Sequence, residues 1–409
     1  MLSDRATLEV PVAERERRVW RPSNTGYFSR RELERQSGEY EAIVPVTLAD
    51  WRPSVPAEVA AELDDATAAL VDFDSYADRR LSAASGTLGP MSAILLRSES
   101  ASSSQIERLT SSARQLALAE LGEASGANSR TVVGNVRAME AALALADRLD
   151  AAAILQMHEA LLSHQEDMAE YAGRWRDELV WIGAGDAGPI GAEFVAPHPE
   201  HLPAALADFE RFIARDDLPV LLHVAVAHAQ FETLHPFVDG NGRTGRAVAQ
   251  AMLKAKGLVA RTTVPISSGL LVDIDSYFDA LTAFRAGDAL PIARRFAHAA
   301  LAAAATGMTL IDDLAAAMEG AYEKLAGVRS DAAARRVLPV LIGQPIVNAT
   351  YLRSTLGLNE VAVKRALDTL VARRVLVESS GRRRNRTWAQ PEMLAALDAY
   401  ARRVRRGRR

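Results

Sequence analysis

Cysteine is absent from this 409-residue chain, and its absence excludes several kinds of chemistry. Without thiols the chain has no disulfides, no cysteine nucleophile and no cysteine-ligated metal site. The absence fits a reducing compartment. The N-terminus also lacks the apolar core of a signal peptide and carries the charge cluster Glu14–Arg18 instead. The sequence therefore predicts a cytoplasmic protein.

Long hydrophobic runs are also missing. A membrane helix needs about 20 consecutive apolar residues, and the apolar stretch Leu218–Ala229 is interrupted by His223 and His228. No membrane partner is expected. The hydrophobic content of 49% and the charged content of 24% are typical of folded proteins, and the length allows two or three domains.

The most informative segment is residues 235–246, which read His-Pro-Phe-Val-Asp-Gly-Asn-Gly-Arg-Thr-Gly-Arg. Gly240 and Gly242 let a ligand approach the backbone N–H groups closely. The apolar, helix-forming run Ala247–Lys256 follows, which indicates that the segment opens a helix. The unpaired N–H groups of a helix N-terminus bind phosphate oxygens. The segment therefore predicts a phosphate site.

The charged side chains of the same segment suit nucleotide chemistry. Asp239 offers the oxygen ligands that Mg²⁺ accepts beside phosphates. Arg243 and Arg246 are three residues apart, so on a helix they can reach different phosphates. His235 is the side chain here that accepts a proton near neutral pH without unusual tuning. We interpret the segment as a nucleotide-transfer site.

This segment resembles the signature of the Fic family, His-Pro-Phe-x-(Asp/Glu)-Gly-Asn-Gly-Arg-x-x-Arg, at all nine specified positions. The likeness extends over residues 95–300 and includes the run 229–234 before the signature. It also includes residues 173–197, which resemble the family's flap. The resemblance implies a mostly α fold, a Fic helical core with a β-hairpin flap, followed by a small α+β domain.

The resemblance also implies an activity. Fic enzymes typically transfer AMP from ATP to a Ser, Thr or Tyr hydroxyl of a target protein. By motif position, His235 would be the general base and Asp239 would hold Mg²⁺. The residues that would contact the nucleotide are Gly240, Asn241, Gly242, Arg243 and Arg246, with Arg246 at the γ-phosphate. Some Fic relatives move a different phosphate-containing group, and this alternative stays open.

Two further segments resemble parts of the Fic site. Leu179–Pro197 has two β-prone runs around a Gly-rich turn, which predicts a hairpin. In the family this flap docks an extended target segment by strand addition, although a plain surface hairpin would look the same. Ser276–Leu281 resembles the family's Tyr-Tyr-x-x-Leu stretch near the adenine pocket. Tyr277 is therefore a candidate nucleotide contact, with a core position as the alternative.

A segment upstream resembles an inhibitory helix. Ser103 and Glu107 are four residues apart and share a face if the segment is helical. Many Fic proteins carry the pattern Ser/Thr-x-x-x-Glu-Gly/Asn there. The glutamate of this pattern forms an ion pair with the second arginine of the signature, which is Arg246 here. Arg108 replaces the small residue of that pattern, which we interpret as crowding next to the glutamate. The alternative is that Glu107 is a solvated surface residue.

The last part of the chain is strongly basic. Residues 331–409 contain 17 basic and 6 acidic side chains, a net charge of +11, whereas the first 330 residues carry −15. A helix at 359–374 and a hairpin with an arginine-rich tip at 382–386 resemble a winged helix-turn-helix, which predicts DNA contact. Protein docking or a homodimer contact is the alternative, and a nucleotide-responsive DNA-binding regulator is a second function for the whole chain.

Helical spacing of apolar residues predicts the organisation of the rest of the chain. The predicted helices are 56–72, 105–121, 129–163, 200–214, 218–234 and 242–257. The first 50 residues are expected to be irregular. The predicted domains are an N-terminal wrapping region (1–95), an inhibitory helix region (96–128), a Fic core (129–300), a helical connector (301–330) and the basic module (331–409).

Overall fold

Helices dominate the computed structural model, which describes residues 7–22, 27–85, 89–123, 127–163, 165, 167–379 and 385–406. The mostly α fold predicted from the sequence is confirmed. The helices are α1 (Arg30–Arg35), α2 (Ala57–Ser85), α3 (Gly89–Ile106), α4 (Ala113–Glu120), α5 (Ala127–Ala144), α6 (Ala151–Leu162), α7 (Leu202–Ile213), α8 (Val220–Leu234), α9 (Asn241–Ala255), α10 (Ile266–Val272), α11 (Ile274–Arg285), α12 (Leu290–Lys324), α13 (Ala333–Gly343), α14 (Ala349–Leu356), α15 (Glu360–Ala372) and α16 (Pro391–Arg406). The strands are β1 (Glu14–Trp20), β2 (Gly38–Val44), β3 (Trp181–Ile182), β4 (Phe194–Val195), β5 (Ile346–Asn348), β6 (Val377–Glu378) and β7 (Thr387–Ala389).

The described residues form two compact units that alternate along the chain. The first takes its residues from Met1–Asp64, Ala141–Leu253 and Asp275–Phe296. The second takes its residues from Asp65–Glu140, Lys254–Ile274 and Ala297–Arg409. The five consecutive domains inferred from the sequence therefore stay a prediction.

The core of the first unit is built around α8. Every residue from Leu221 to Leu234 is buried, and a helix that is apolar on all sides is stable only in the interior. The amphipathic helix α7 packs against α8 and contributes the buried rings of Phe209 and Phe212. This core fixes the end of α8, where the signature segment begins.

The first 50 residues are more regular than expected. Strands β1 and β2 pair antiparallel, from Glu14 opposite Val44 to Trp20 opposite Gly38. Strand β1 has the sequence ERERRVW and most of it is exposed, so it lacks the apolar alternation that identifies a half-buried strand. Cross-strand ion pairs support it instead, such as Arg17 Nε to Glu41 Oε1 at 3.1 Å.

Two predicted helices are interrupted in the structure. The stretch 105–121 contains the end of α3 and the whole of α4, because Ser112 caps a new helix with its side chain. The stretch 129–163 divides into α5 and α6, because Asp150 caps α6 by accepting from the Ala153 N–H at 2.7 Å. Both breaks are set by capping residues inside a continuous helical pattern.

The C-terminal part of the second unit has the order α13–β5–α14–α15–β6–β7. Its three strands form one antiparallel sheet in the order β5–β7–β6. Asn348 caps α14, Gly357 ends it in the left-handed conformation, and Asn359 caps α15. The helix predicted at 359–374 is confirmed as α15. Residues 380–384, which hold most of the arginine-rich tip, and 407–409 lie outside the described residues.

Helix α12 is the one described helix that is long and apolar enough to cross a membrane, with a mean hydropathy of 1.3 in its most apolar window. The sequence analysis expected no such segment. The core helix of a folded protein can have the same length and apolar composition. Helix α12 also carries two carboxylates that accept hydrogen bonds from other helices. Asp312 accepts from the Tyr76 hydroxyl at 2.5 Å, and Asp313 accepts from Arg403 at 2.8 Å.

Candidate active site

His235 lies at the C-terminal cap of α8, where the chain turns into the left-handed conformation with φ 46° and ψ 57°. Its side chain is 15% exposed. The ring Nδ1 lies 3.4 Å from the carbonyl oxygen of Glu232 and 4.0 Å from its carboxylate. A proton on Nδ1 would be held by these oxygens, so Nε2 is the nitrogen suited to accept a proton from a substrate.

The loop between His235 and α9 is held from inside. The Asn241 side chain accepts from the Phe237 N–H and donates to the Phe237 carbonyl, both at 2.8 Å. The His158 ring stacks on the Phe237 ring at 3.6 Å, and its Nε2 lies 3.0 Å from the Asp239 carbonyl. Because the side-chain amide of Asn241 is bonded within this loop, Asn241 would contact an anion through its backbone N–H.

The hydrogen-bond partners of His158 define a structural role for this residue. Gly173 N–H donates to Nδ1 at 3.1 Å, so Nε2 carries the proton and donates to Asp239. This neutral tautomer leaves no site for a second proton. Burial lowers the pKa of His158 to about 4. Protonation of Nδ1 would break the bond from Gly173, whereas the Nε2 bond to the signature loop would remain.

The stability of the protein should decrease below pH 6.5 in part because of His158. The unfolded chain binds a proton at this residue near pH 6.5 and the folded chain only near pH 4, so stability is lost as pH falls between these values. The full loss is roughly 3 kcal/mol, at 1.36 kcal/mol per unit. Urea unfolding at pH 7 and pH 4 should show a smaller pH dependence for His158→Gln than for the wild type. Equal dependence in both proteins would contradict this assignment.

Glycine is required at two positions of the segment 235–246, one of which, Gly245, the signature leaves unspecified. Gly240 has a φ of +79°, and a Cβ there would lie 2.8 Å from Leu161 Cδ2. Gly245 is helical, and a Cβ there would lie 2.9 Å from the Phe231 ring. Gly242 stands in the first turn of α9, where N–H groups have no partner within the helix. The glycines thus fix the loop and the start of α9 closely against α6 and α8.

Arg243 is the residue whose surroundings point most directly to a ligand. It is 3% exposed, and its Nη2 donates to Asp239 Oδ2 at 2.7 Å. Its Nε and Nη1 are buried and have no hydrogen-bond partner among the described residues. Buried donors are nearly always paired. Unpaired guanidinium donors at a helix N-terminus fit the oxygens of a phosphate.

Asp239 and Arg246 complete the charged set. The Asp239 side chain is 43% exposed, so its carboxylate is accessible while one oxygen binds Arg243. Arg246 is 3% exposed and lies one turn further along α9. The structure therefore brings His235, Asp239 and both arginines together on one loop and the first turns of one helix.

Tyr277 lies in the core of the first unit. It is 1% exposed, and its hydroxyl lies 2.8 Å from His228 Nε2. Burial, followed by the charge of Arg246, lowers the pKa of His228 to about 3, so the pair is a neutral hydrogen bond. These contacts give Tyr277 a structural position. Its contact with adenine stays a prediction, and its neighbour Phe278 is the exposed aromatic at 49%.

Arg176 holds together the segment 178–197, which contains the predicted flap, and the sequence analysis did not single it out. Its guanidinium donates to the carbonyls of His235 at 2.7 Å, Glu178 at 2.7 Å and Pro197 at 2.6 Å. Glu178 and Pro197 stand at the two ends of the flap, so one side chain joins both ends to His235. Burial lowers the pKa of Arg176 to about 10. No local sequence pattern distinguishes a buried arginine from a surface arginine, so only the structure reveals the role of Arg176.

The flap strands lie next to His235. Trp181 and Ile182 of β3 pair with Val195 and Phe194 of β4. The Phe194 ring meets the His235 ring edge-on at 5.9 Å, and the Arg285 guanidinium lies 3.9 Å above the Phe194 ring. The connecting segment is braced by the β1–β2 hairpin, because Trp20 Nε1 donates to the Ala187 carbonyl at 3.0 Å.

Ser103 and Glu107 belong to the second unit. Ser103 is buried in α3, whereas Glu107 is the exposed residue that ends this helix. Arg108 follows in the left-handed conformation with φ 60°, and its N–H donates to Gln105 while the Leu109 N–H donates to Ser104, both at 3.0 Å. This is a Schellman cap, which favours Gly or Asn at the position of Arg108. The substitution therefore strains the cap, and the Arg108 side chain is exposed. Its effect on the restraint by Glu107 stays a prediction.

Comparison with known proteins agrees with this site. A model of the Fic/DOC family matches residues 148–253, which contain His235 and both arginines. Residues 148–253 are therefore similar to a Fic/DOC domain. Its curated relatives include the protein adenylyltransferase Fic of Nematostella vectensis, 29% identical over 145 residues, and that of Drosophila melanogaster, 31% identical over 107 residues.

These matches are partial. They cover 34% and 25% of this chain and 30% and 20% of the relatives, so the chain spans less than a third of the length of either. Solved structures that the chain resembles include a Fic family protein from Desulfovibrio desulfuricans, with 21% identity, a TM-score of 0.46 and coverage of 79% of this chain and 95% of that one. Another is Fic-1 from C. elegans, with 21% identity, a TM-score of 0.45 and coverage of 66% and 74%.

Proposed function

We propose that the protein is an adenylyltransferase that moves AMP from ATP to a Ser, Thr or Tyr hydroxyl of a target protein. The observation that carries the proposal is the buried guanidinium of Arg243, whose Nε and Nη1 donors lack partners in the described part of the chain. It stands at the start of α9, in the same short segment as His235. The similarity to relatives that are named protein adenylyltransferases supports the same activity.

His235 would act as the base. As the target oxygen attacks the α-phosphorus of ATP, its proton passes to Nε2 of His235, while Nδ1 is held by Glu232. The bond between the α-phosphorus and the bridging oxygen breaks, and pyrophosphate leaves with the bonding electrons. The product is an AMP phosphodiester on the target hydroxyl, and the imidazolium then returns its proton to solvent.

The phosphates would be positioned by Arg243, Arg246 and the N–H groups at the start of α9. Fixed donors aimed at the phosphates supply most of what phosphoryl-type transfer needs from a protein. Asp239 has an accessible carboxylate and would hold Mg²⁺, which would neutralise charge on the α- and β-phosphates. The fit rests on the donors of Arg243 and the oxygens of Asp239, which complement a metal-bound triphosphate.

The flap would dock the target. Strands β3 and β4 are only two residues long, and Ile182 on β3 is 47% exposed. An extended target segment could add to this edge by main-chain hydrogen bonds. The contact of Phe194 with His235 would place the added segment beside the base.

Glu107 would restrain the enzyme, and replacing it with glycine should raise AMP transfer by about 5- to 100-fold, the usual range of a regulatory coupling. The measurement uses ATP labelled at the α-phosphate, Mg²⁺ and cell lysate, and counts label on protein. Glu123→Gly, a change at another glutamate of the same unit, is the matched control. Equal labelling by Glu107→Gly and the wild type would refute the restraint. Label from other nucleotides but not from ATP would favour transfer of a different group.

We further propose that residues 331–409 form a winged helix that contacts DNA. The order α13–β5–α14–α15–β6–β7 resembles that of a winged helix, in which α15 would be the recognition helix, and the basic side chains on and after α15 are exposed. Lys364 and Arg365 on α15 and Arg373 and Arg374 after it are all exposed. The exposed apolar residues Val361 and Val371 support the alternative, a protein-docking or homodimer surface.

DNA binding by this module should weaken steeply with salt. Each phosphate neutralised by Lys or Arg lowers the logarithm of the affinity by about 0.9 per tenfold rise in salt. A K364Q/R365Q double variant should therefore bind DNA more weakly. The slope of log affinity against log salt concentration should also become shallower by about 2. Fluorescence anisotropy with labelled duplex DNA measures both. If no binding to any duplex is detected at low salt, the DNA proposal is refuted and protein docking is the remaining function of this module.

A further inference from the structure

A cluster of metal-ligating side chains lies in the first unit, outside the signature segment. It joins strand β1 to the short turn Pro199–His201, which precedes α7. Its members are Glu16, His198, Glu200 and His201, and donor atoms of Glu16, Glu200 and His201 all lie within 4.8 Å of one another. Within the ranges that the structure describes, this is the one group of three or more carboxylates and imidazoles that are close enough to share a metal ion.

The two histidines of the cluster face the same carboxylate oxygen. The His201 N–H donates to the His198 carbonyl at 2.9 Å and closes a tight turn, in which side chains three residues apart lie on one side. Glu16 Oε1 lies 3.0 Å from Nε2 of His201 and 3.6 Å from Nε2 of His198. The longer distance is beyond hydrogen-bonding range, so a hydrogen bond to Glu16 does not explain the position of His198.

The spacing of these donor atoms fits Zn²⁺. This ion holds four ligands in a tetrahedron, with imidazole nitrogens and carboxylate oxygens at about 2.0–2.2 Å, so two of its ligand atoms lie about 3.3 Å apart. The two distances from Glu16 Oε1 lie on either side of that value. Two histidines and one glutamate are also a ligand set found in zinc enzymes. Because Mg²⁺ and Ca²⁺ take oxygen ligands, the two imidazoles favour Zn²⁺ over these ions.

The side chains around the cluster are compatible with a metal ion. Arg18 Nη2 lies 3.0 Å from Oε2 of Glu16 and also bonds to Glu200, so the guanidinium takes the oxygen of Glu16 that faces away from the histidines. A ligating carboxylate is commonly hydrogen-bonded to such an outer partner. The Tyr40 hydroxyl lies 3.2 Å from Nε2 of His198. A phenol keeps its proton at neutral pH and can donate it, which leaves Nε2 with the lone pair that a metal needs.

We propose that Nε2 of His198, Nε2 of His201 and Oε1 of Glu16 bind a Zn²⁺ ion. Glu200 supplies the fourth ligand when its side chain, which is 62% exposed, rotates away from Arg18, and water fills this position otherwise. The proton that His201 shares with Glu16 passes to solvent as the metal binds. The ion ties β1 to the turn before α7, and none of its ligands belongs to the signature segment. Its role is therefore structural, and the rate of AMP transfer does not depend on it.

Calorimetry with Zn²⁺ on the full chain, after treatment with a chelator, tests the site. One ion per chain should bind in a saturable way, and Mg²⁺ should not displace it. Glu16→Gln keeps the size of the side chain but removes the anionic ligand, and it should weaken binding by about 10- to 100-fold or more, the usual effect of disturbing the coordination of a metal. His201→Gln should have the same effect.

Two control variants exclude Zn²⁺ binding elsewhere on the chain. His298→Gln removes an exposed histidine of α12, and Asp239→Asn removes the carboxylate proposed to hold Mg²⁺. Both should bind Zn²⁺ as the wild type does. Loss of the tight site in either control, or its persistence in Glu16→Gln, would overturn the proposal.

Two measurements on the wild type keep the test decisive if a variant does not fold. NMR of the imidazole nitrogens should show Zn²⁺-dependent shifts of Nε2 in His198 and His201, and none in His223, which is buried in α8. The Tm should rise by about 5 °C when free Zn²⁺ is about 100 times the Kd. Shifts confined to other histidines, or no binding by the chelator-treated protein, would overturn the proposal. None of these readouts uses AMP transfer, so the zinc site can be decided even if the proposed function fails.

Discussion

Replacing His235 with asparagine is expected to reduce AMP transfer by about 10²- to 10⁴-fold, the usual contribution of a general base. Asparagine is the informative substitution because His235 has a φ of +46°, a conformation that asparagine tolerates better than alanine does. The variant therefore removes the proton acceptor and spares the turn between α8 and the signature loop. The rate should be measured with α-labelled ATP in the Glu107→Gly background, so that restraint does not mask the effect.

The control for this experiment is another histidine of the same unit. His201 is 31% exposed and lies 3.0 Å from a Glu16 carboxylate oxygen, away from the signature, so His201→Asn should keep its rate. ATP affinity should be similar in all three proteins, because the phosphate donors are on α9. A rate for His235→Asn within threefold of the wild type would remove His235 from the role of base.

The parts of the site that were predictable are those carried by contiguous residues. Residues 235–246 hold the histidine, the carboxylate and both arginines in one run, so a single local pattern was enough to place them at the end of one helix and the start of the next. The buried helix α8 was equally visible, because its apolar residues continue without a charged face.

The features of the site that the sequence did not predict depend on the burial of polar residues, which no local sequence pattern indicates. Arg176 and His158 look like ordinary polar residues in the sequence, yet each joins segments that are far apart along the chain. The strand β1 was missed for a related reason: its alternating charges are satisfied across the hairpin, so the apolar periodicity that signals a strand is absent. Tertiary pairing supplies what the sequence pattern lacks.

Strain at Arg108 illustrates how structure changes the meaning of a departure from a family pattern. Read from the sequence, arginine in place of a small residue suggested crowding beside Glu107. In the structure Arg108 occupies the left-handed position of a helix cap, at φ 60°, and its side chain is exposed. The preference for a small residue there is explained by backbone conformation, so the departure weakens the cap, and its effect on the restraint by Glu107 stays a prediction.

Arg243→Met is expected to reduce AMP transfer by about 10²- to 10³-fold, as loss of a fixed transition-state donor does, without lowering the stability of the protein. Two of its buried donors lack partners within the described ranges, and its one partner, Asp239, is 43% exposed. Methionine removes a desolvated charge and leaves a carboxylate that water can solvate. Replacing a poorly paired buried charge with an apolar side chain is often neutral or stabilising.

The two readouts together distinguish a ligand site from a structural ion pair. If Arg243 served mainly to hold the fold, Arg243→Met would unfold at lower urea concentration, and activity would fall only with the folded fraction. If it binds phosphate, unfolding moves to equal or higher urea concentration while ATP affinity and rate fall together. Arg329→Met breaks an exposed pair with Asp331 and should change neither, since exposed ion pairs contribute about 0–1 kcal/mol. If Arg243 lowers the stability of the fold but is needed for the reaction, its position is explained by ligand binding.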